Sequence, residues 1–383
     1  MVLAFAVTAT GITLNTFITP SLPEIMRGVG AEPDQAGLVL AATTLPGVVL
    51  APVAGMLADR FGRRAVLVPS LTVFGVAGGL AATSPSLGWL LGWRFLQGAG
   101  SAGLINLAVV LIGDHVSGDR RAGMIGRNAA VLTVGLAVFP LLGGLATDVG
   151  GWRAAFLVYP VALLTAAAVG LGLPREPSSD LDLVQQVRNL GPAVRVPGLA
   201  RALGAAVVSF ALIFGVLLTV LPVHLEEAFG VSPTLRGLFF GAAALANAAL
   251  ALSAGRLQRF SKRALLTTAA ALFAVALAVI AAGASLPVVV AGMVVFGAGE
   301  GLMIPNLQDI AAGSSDTHRG ALVALLVSAA RAGQTVGPLT ATAVFAAVGA
   351  SATFAVSAGV CLLVLLPLVA LGGARSAPSG QPT

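Results

Sequence analysis

The sequence predicts an all-α membrane protein of twelve transmembrane helices, built as two six-helix bundles related by a pseudo-two-fold axis along the membrane normal. Three observations carry this: a strongly apolar composition, apolar runs near twenty residues long that recur along the chain, and an internal repeat. Of the 383 residues, 57% are hydrophobic and 9% charged, with a mean hydropathy of +0.98. Such a chain has too few charged side chains to cover a water-facing surface, so it needs lipid around it. A run of about twenty residues, rising about 1.5 Å each, crosses roughly 30 Å of hydrocarbon. The 48 glycines and long Ala/Val/Leu stretches suit close-packed helices, whereas a β-barrel would show shorter alternating segments.

Breaks at charged, Gly and Pro clusters place the crossings in order. The first six fall at 2–22, 35–57, 65–82, 87–112, 123–147 and 153–173. The second six fall at 202–223, 235–256, 264–282, 287–311, 321–346 and 351–372. The stretch after Met1 has no basic n-region and no small-residue cleavage site, so it reads as an uncleaved anchor. Residues 1–173 therefore form the first bundle, 174–200 a cytoplasmic linker, 201–372 the second bundle and 373–383 a Gly/Ser/Pro-rich disordered tail. Within the linker, Leu183, Val184, Val187 and Leu190 have helical spacing. A short interfacial helix and a flexible linker both remain open there.

Charge orients the crossings. Assigning alternate loops to opposite sides puts sixteen Lys and Arg on one side and three, Arg27, Arg153 and Arg236, on the other. Basic residues near helix ends stay cytoplasmic, so both termini are expected inside the cell, in a multi-pass protein of the bacterial inner membrane. The net charge of +6 comes from dispersed basic residues. Without clustered aromatics they do not make a nucleic-acid surface. The single cysteine, Cys361, excludes a disulfide framework and a thiol metal site.

The halves align at an offset near 199 residues. Pro23 answers Pro222, Pro33 answers Pro233 and Gly37 answers Gly237. The run Arg60-Phe61-Gly62-Arg63-Arg64-Ala65 answers Arg259-Phe260-Ser261-Lys262-Arg263-Ala264, and Gly98-Ala99-Gly100 answers Gly297-Ala298-Gly299. Arg121, Gly135, Pro140 and Phe156 then answer Arg319, Gly333, Pro338 and Phe354. Corresponding basic loops lie on one side, so each repeat contains an even number of crossings. A parallel repeat of this kind encloses a site near the midplane between its halves.

These residues make the chain resemble the major facilitator superfamily over essentially its full length. The loop containing Gly55, Asp59, Arg60, Gly62, Arg63 and Arg64 looks like that family's signature between helices two and three. Asp59 and Arg63 can pair at i,i+4, and the carboxylate can face the positive end of helix eleven near Arg319 to Ala321. The resemblance implies a cytoplasmic gating latch here, with Asp114 as a further acidic member. Arg94 to Ala102 resembles a second family motif whose arginine is associated with proton coupling. Gly135, Pro140, Gly143 and Gly144 resemble the helix-five motif of the drug:proton antiporters. Phe139 stands where that pattern has a glycine, which is expected to loosen or relocate the helix contact.

Arg94, Glu300 and Arg331 lie inside crossings. A charge in hydrocarbon is functional by default, because it needs a partner or a wet cavity. Glu300 is the only carboxylate well inside, which makes it the preferred proton carrier; a structural pair with Arg331 is the alternative. Snorkelling to the interface is the alternative for Arg94. Asn15, Gln97, Asn106, Asn128, Asn247, Asn306 and Gln334 lie at plausible cavity depth. His224 and Glu226, at the far end of helix seven, read as interfacial.

Weakly polar cavity candidates favour lipophilic or amphiphilic solutes. With the resemblance, this leads to proton-coupled efflux of drug-like compounds or metabolites by a monomer in lipid, without cofactor or metal, the proton being the coupling ion. Uptake or facilitated diffusion of a small organic solute is the second transport reading. A nontransporting membrane sensor is the reading from another class, but no segment is long enough to be a soluble output module. Catalysis is not expected, since there is no Cys/His metal cluster and no Gly-x-Ser-x-Gly turn.

Overall fold

The computed structural model describes residues 1–174, 198–257, 259–314 and 319–370. Most of the expected linker, including the Leu183 to Leu190 spacing, and the expected tail lie outside the described residues. No strand occurs among the described residues. The chain runs through α1 (Val2–Gly28), α2 (Pro33–Phe61), α3 (Arg63–Thr83), α4 (Leu87–His115), α5 (Asp119–Gly150) and α6 (Trp152–Gly172). It continues through α7 (Leu199–Phe229), α8 (Pro233–Leu252), α9 (Lys262–Ala282) and α10 (Leu286–Gly313).

The last apolar segment, Leu322–Ala370, is 49 residues long. As one straight helix it would measure about 74 Å at 1.5 Å per residue, more than twice a hydrocarbon core. Gly349 breaks it, with φ 77° and ψ 175°, so residues 319–348 form α11 and 350–370 form α12. The same turn closes α5, where Gly151 has φ 73° and ψ 174°. Only glycine adopts that backbone without strain, and the two positions are 198 residues apart, the offset of the sequence repeat. Twelve crossings result, as the sequence predicts.

Boundaries differ from expectation where helix chemistry allows it. Helix α1 reaches Gly28 rather than residue 22, because Thr19–Ser21 forms a 3₁₀ turn and Pro23 then sits in the first turn of the next helical piece. A proline there has no intrahelical bond to lose. Helix α8 ends at Leu252, four residues early, and α5 begins at Asp119, four residues early.

Each half has its own apolar core, one drawn from Ala4 to Leu173 and the other from Ala202 to Val369. Leu164, Leu171, Leu252 and Leu363 stay exposed on the outside, the surface a lipid-solvated bundle presents. Within the halves the repeat is preserved contact by contact. Gly98 of α4 lies against the Thr43 carbonyl of α2, and Gly297 of α10 against the Ala243 carbonyl of α8. Gly100 lies against the Ser70 carbonyl of α3, and Gly299 against the Ala269 carbonyl of α9.

The halves meet mainly along two seams, α2 with α11 and α5 with α8. Gly37 packs on the Pro338 carbonyl, and its repeat partner Gly237 packs on the Pro140 carbonyl. Gly144 adds a contact to the Pro233 carbonyl. A Cβ at Gly37 or Gly237 would drive into backbone, whereas at Gly55 it would meet nothing within 4 Å. Gly37→Val and Gly237→Val are therefore expected to destabilise the protein by about 1–3 kcal/mol or more, while Gly55→Ala is expected to be near neutral. Thermal unfolding of the detergent-solubilised protein checks this; three indistinguishable midpoints would disprove the seam.

Candidate functional site

The two seams do not run the full depth of the molecule. Along α2 the contact passes from Gly37 through Thr44, whose hydroxyl donates to the Gln334 carbonyl at 3.2 Å and accepts from Thr335 at 3.0 Å. It ends at Gly47, where a Cβ would lie 3.5 Å from the Arg331 side chain. Two turns further, space opens at Gly55. Along α5 and α8 the contact holds at Gly144, Gly237 and Gly241, while a Cβ at Gly123 or Gly126 of α5 would meet nothing within 4 Å. Among the described residues, the tight glycine contacts between the halves thus lie toward the end remote from the basic loops.

Arg94 sits wholly inside the first half, 0% exposed, so it does not snorkel. Its guanidinium donates to Gln97 Oε1 at 2.6 Å, to the Leu14 carbonyl at 3.0 Å and to Asn15 Oδ1. No carboxylate lies within 4.0 Å of it among the described residues. Neutral acceptors hold this cation, which places two of the expected cavity residues, Asn15 and Gln97, in its shell. Asn15 also accepts from Thr43 at 3.1 Å, tying α1 to α2. Sequence reasoning missed Tyr159, the only tyrosine, whose hydroxyl donates to the Leu14 carbonyl at 2.9 Å. Its rarity in an otherwise apolar helix was the available signal.

In the second half, Glu300 of α10 and Arg331 of α11 are both half-buried and form no ion pair within 4.0 Å among the described residues. The expected alternative of a Glu300 to Arg331 pair is therefore absent. Asn247 of α8 is the polar neighbour of Glu300, and Arg331 reaches only Gln334 Oε1, at 3.3 Å. The other cavity candidates divide. Asn128 is buried and accepts from Thr8 at 2.8 Å, and Asn306 is buried and donates to the Leu302 carbonyl of its own helix at 2.7 Å. Both serve packing, and Asn106 is exposed.

At the basic end, Arg63 pairs with Asp59 and, through Nε, with Asp114 Oδ2 at 3.0 Å. It thereby ties the ends of α2 and α3 to α4. Gly62, with φ 88°, makes the turn between α2 and α3. Arg64 donates to the Leu173 carbonyl at 3.1 Å, and Arg60 lies over the Phe61 ring at 5.3 Å. The expected partner side chains Arg319 to Ala321 lie outside the described residues.

The helix-five residues come together as close helix contacts. Gly143 meets the Phe17 carbonyl of α1, Gly135 meets Ile12, and Gly144 and Pro140 face α8. Phe139 does not loosen this contact. Its ring turns back to about 3.1 Å from the Cβ position of Gly135, leaving the α8 seam clear.

The opposite end holds groups the loop-by-loop reading misplaced. Arg236, expected at the start of the eighth crossing on the sparsely charged side, lies in the first turn of α8, fully buried and paired with Glu24 of α1. Arg27 pairs with Glu226 of α7. His224, expected at the interface, is 8% exposed and wedged between Phe229 and Phe354 at 5.7 and 5.3 Å. Charged residues near helix ends look alike in sequence whether they face water or the other half.

A family model described as Major Facilitator Superfamily matches residues 1–213 and again 203–383. The chain belongs to this superfamily. Among its relatives, the multidrug transporter protein MdtP of Bacillus subtilis is 30% identical over 42% of this chain and 29% of its own length. The cephamycin export protein of Amycolatopsis lactamdurans is 34% identical over 59% of this chain and 49% of its own. The matched segments thus span from about a quarter to about half of the curated relatives' length. A bacterial homologue of the human lysosomal transporter Spinster, in an inward-facing, unoccupied conformation, superposes with a TM-score of 0.80 at 18% identity, over 97% of this chain and 95% of its own. That likeness shows the fold, while the family and the long apolar helices make this a multi-pass membrane protein.

The Arg94 cluster has a direct energetic consequence. Asn15→Leu removes one acceptor from a buried cation, and an unsatisfied charged group costs about 1–3 kcal/mol or more. Tyr159→Phe removes a single neutral bond worth about 1 kcal/mol. Denaturation midpoints are expected to fall further for Asn15→Leu than for Tyr159→Phe; the reverse order would show that Arg94 does not depend on that amide.

Proposed function

We propose that the protein is a secondary exporter that moves lipophilic or amphiphilic small molecules across the cell membrane by alternating access, driven by protons. The observation that carries this reading is Glu300, a carboxylate in the middle of α10 that is half-buried and has no ion pair within 4.0 Å among the described residues. A carboxylate locked to an arginine must break that pair to take up a proton; this one has only a neutral amide beside it. It is chemically suited to load and unload a proton while the rest of the core stays assembled.

The gap between the halves supports the same reading. It widens toward the end carrying the basic loops, which we place in the cytoplasm on the strength of the Lys/Arg asymmetry. A solute would enter from that side between α2, α5, α8 and α11. There it would meet the apolar faces of those helices and the free donors of Arg331. Relatives named as a multidrug transporter and an antibiotic export protein point in the same direction. Arg94 differs from Glu300 in being sealed, its two terminal nitrogens held by neutral acceptors. In the arrangement seen it holds α4 to α1, and its part in coupling would require that shell to rearrange.

Purified protein in liposomes with an imposed pH gradient tests the reading, using a panel of fluorescent amphiphiles as substrates. Protons are expected to move opposite to the dye, and Glu300→Gln is expected to lower gradient-driven transport at least tenfold while leaving downhill exchange measurable. Undiminished gradient-driven transport in Glu300→Gln would remove it as the carrier. Co-directional proton and dye movement would favour uptake instead.

A further inference from the structure

We propose that Arg331 selects the solute by charge: the cleft between the halves takes small amphiphiles with an anionic head, a carboxylate, sulfonate or phosphate, and that head docks on the Arg331 guanidinium. The inference rests on the exporter reading and narrows it to one class of solute.

Arg331 lies on α11 at the inner limit of the α2 seam, where a Cβ on Gly47 would stand 3.5 Å from its Cδ and Nε and 3.6 Å from its Cζ. The side chain thus belongs to the second half in sequence and lies against the first half in space, at the mouth of the cleft between them. Its Nη1 donates to Gln334 Oε1, one turn along the same helix, at 3.3 Å. Nε and Nη2 have no hydrogen-bond partner among the described residues, and the half-buried side chain leaves neither of them enclosed.

The open edge has a definite shape. Nε–H and Nη2–H lie side by side and point the same way, at the spacing of two oxygens on one anionic head, so a single head can take both donors at once. Gln334 holds the other edge of the guanidinium plane. Other arginines inside the crossings offer no such edge. Arg94 is 0% exposed, with its terminal nitrogens held by Gln97, Asn15 and the Leu14 carbonyl. Arg236 is 0% exposed and has Glu24 as its counter-charge. Arg331 has no carboxylate within 4.0 Å among the described residues.

The internal repeat shows that this cation is not part of the scaffold. At the offset of 198 that relates Gly135 to Gly333, the counterpart of Arg331 is Thr133. A six-helix bundle of this kind therefore assembles without an arginine there. The same comparison turns Asn15, which serves Arg94, into Phe214 at an offset of 199. Phe214 stands beside Phe210 on α7, with ring centroids 6.5 Å apart. Helix α7 runs close along α11 at this level, since Gly333 packs on the Val207 carbonyl and its Cβ position is 3.0 Å from Phe210 Cβ. Phe214 and Leu218 pack on the cores of both halves. An apolar strip thus continues from the level of Arg331 into the space between the halves, with the charge at one end of it.

That pairing of an open cationic fork with an apolar strip is complementary to an anionic amphiphile. An uncompensated charge within a membrane-spanning helix is costly, and an anionic head relieves the cost. A neutral head leaves it in place, and a cationic head adds repulsion, so the site discriminates by charge.

The test uses the purified full chain in nanodiscs of zwitterionic lipid at neutral pH, with empty discs as background. Three fluorescent probes share one dansyl-undecyl body and end in a carboxylate, a methyl amide or an ammonium. The carboxylate is expected to bind about tenfold or more tightly than the amide, and the ammonium most weakly. Arg331→Gln should bind carboxylate and amide alike, its amide affinity reporting an intact fold. Arg331→Lys should keep a weaker carboxylate preference, because it keeps the charge and loses the fork. Gly47→Asp sets a carboxylate of the chain's own beside the guanidinium and should abolish the preference with Arg331 still present. A native protein that binds the three probes alike or favours the ammonium overturns the proposal, as does an Arg331→Gln protein that keeps the full carboxylate preference. Discs containing phosphatidylglycerol, with Arg331→Gln in the same discs as reference, separate a dissolved solute from a lipid. A surviving carboxylate preference supports the solute, and its loss assigns the fork to a lipid headgroup and overturns it. Transport of the same probes under a pH gradient keeps the two ideas apart. Gradient-driven transport without charge preference sinks the Arg331 site alone, and charge-selective binding without gradient-driven transport supports the site and sinks the exporter reading.

Discussion

Backbone-to-backbone contact through glycine joins the two halves of this molecule, and its other features are arranged around that contact. Lipid tails solvate apolar side chains as well as a neighbouring helix does, so burial of greasy surface gives the halves little reason to associate. Close approach gives them one, because carbonyls and Cα atoms come within dispersion range only where no Cβ intervenes. Gly37 against Pro338 and Gly237 against Pro140 provide this twice, once on each side of the pseudo-two-fold axis. Confining the tight seams to one end leaves the other end free to part.

Ionisable groups follow the same geometry. At the basic end, Arg63 pairs with Asp59 and Asp114 and so ties together the ends of α2, α3 and α4. Charges at the opposite end are paired across the halves, Glu24 with Arg236 and Arg27 with Glu226. In the middle, Arg94 is sealed by neutral acceptors, and Glu300 and Arg331 have no ion pair within 4.0 Å among the described residues.

Several parts of this were legible in the sequence because they are periodic or local. The offset that relates Pro140 to Pro338 and Gly98 to Gly297 appears as recurring contacts, since a duplicated bundle repeats its close approaches along with its residues. The Asp59 to Arg63 pair follows from i,i+4 spacing on a helix end. Other parts were hidden. Asn15 and Gln97 looked like cavity residues, yet they bond a guanidinium that reaches them across helices. Arg236 looked like a charge near a helix end, yet it sits buried against a carboxylate 212 positions away.

Sequence alone determined the solvent of this protein, its even number of crossings and its division into two like halves, because hydropathy, charge asymmetry and repetition are properties of residues in order along the chain. Tertiary structure alone decided which end is shut, which polar groups neutralise one another and which carboxylate remains unpaired. Those outcomes depend on distances of a few ångströms between helices far apart in the chain. Two glutamates with the same intrinsic chemistry, Glu24 and Glu300, differ only in what the neighbouring helices bring against them.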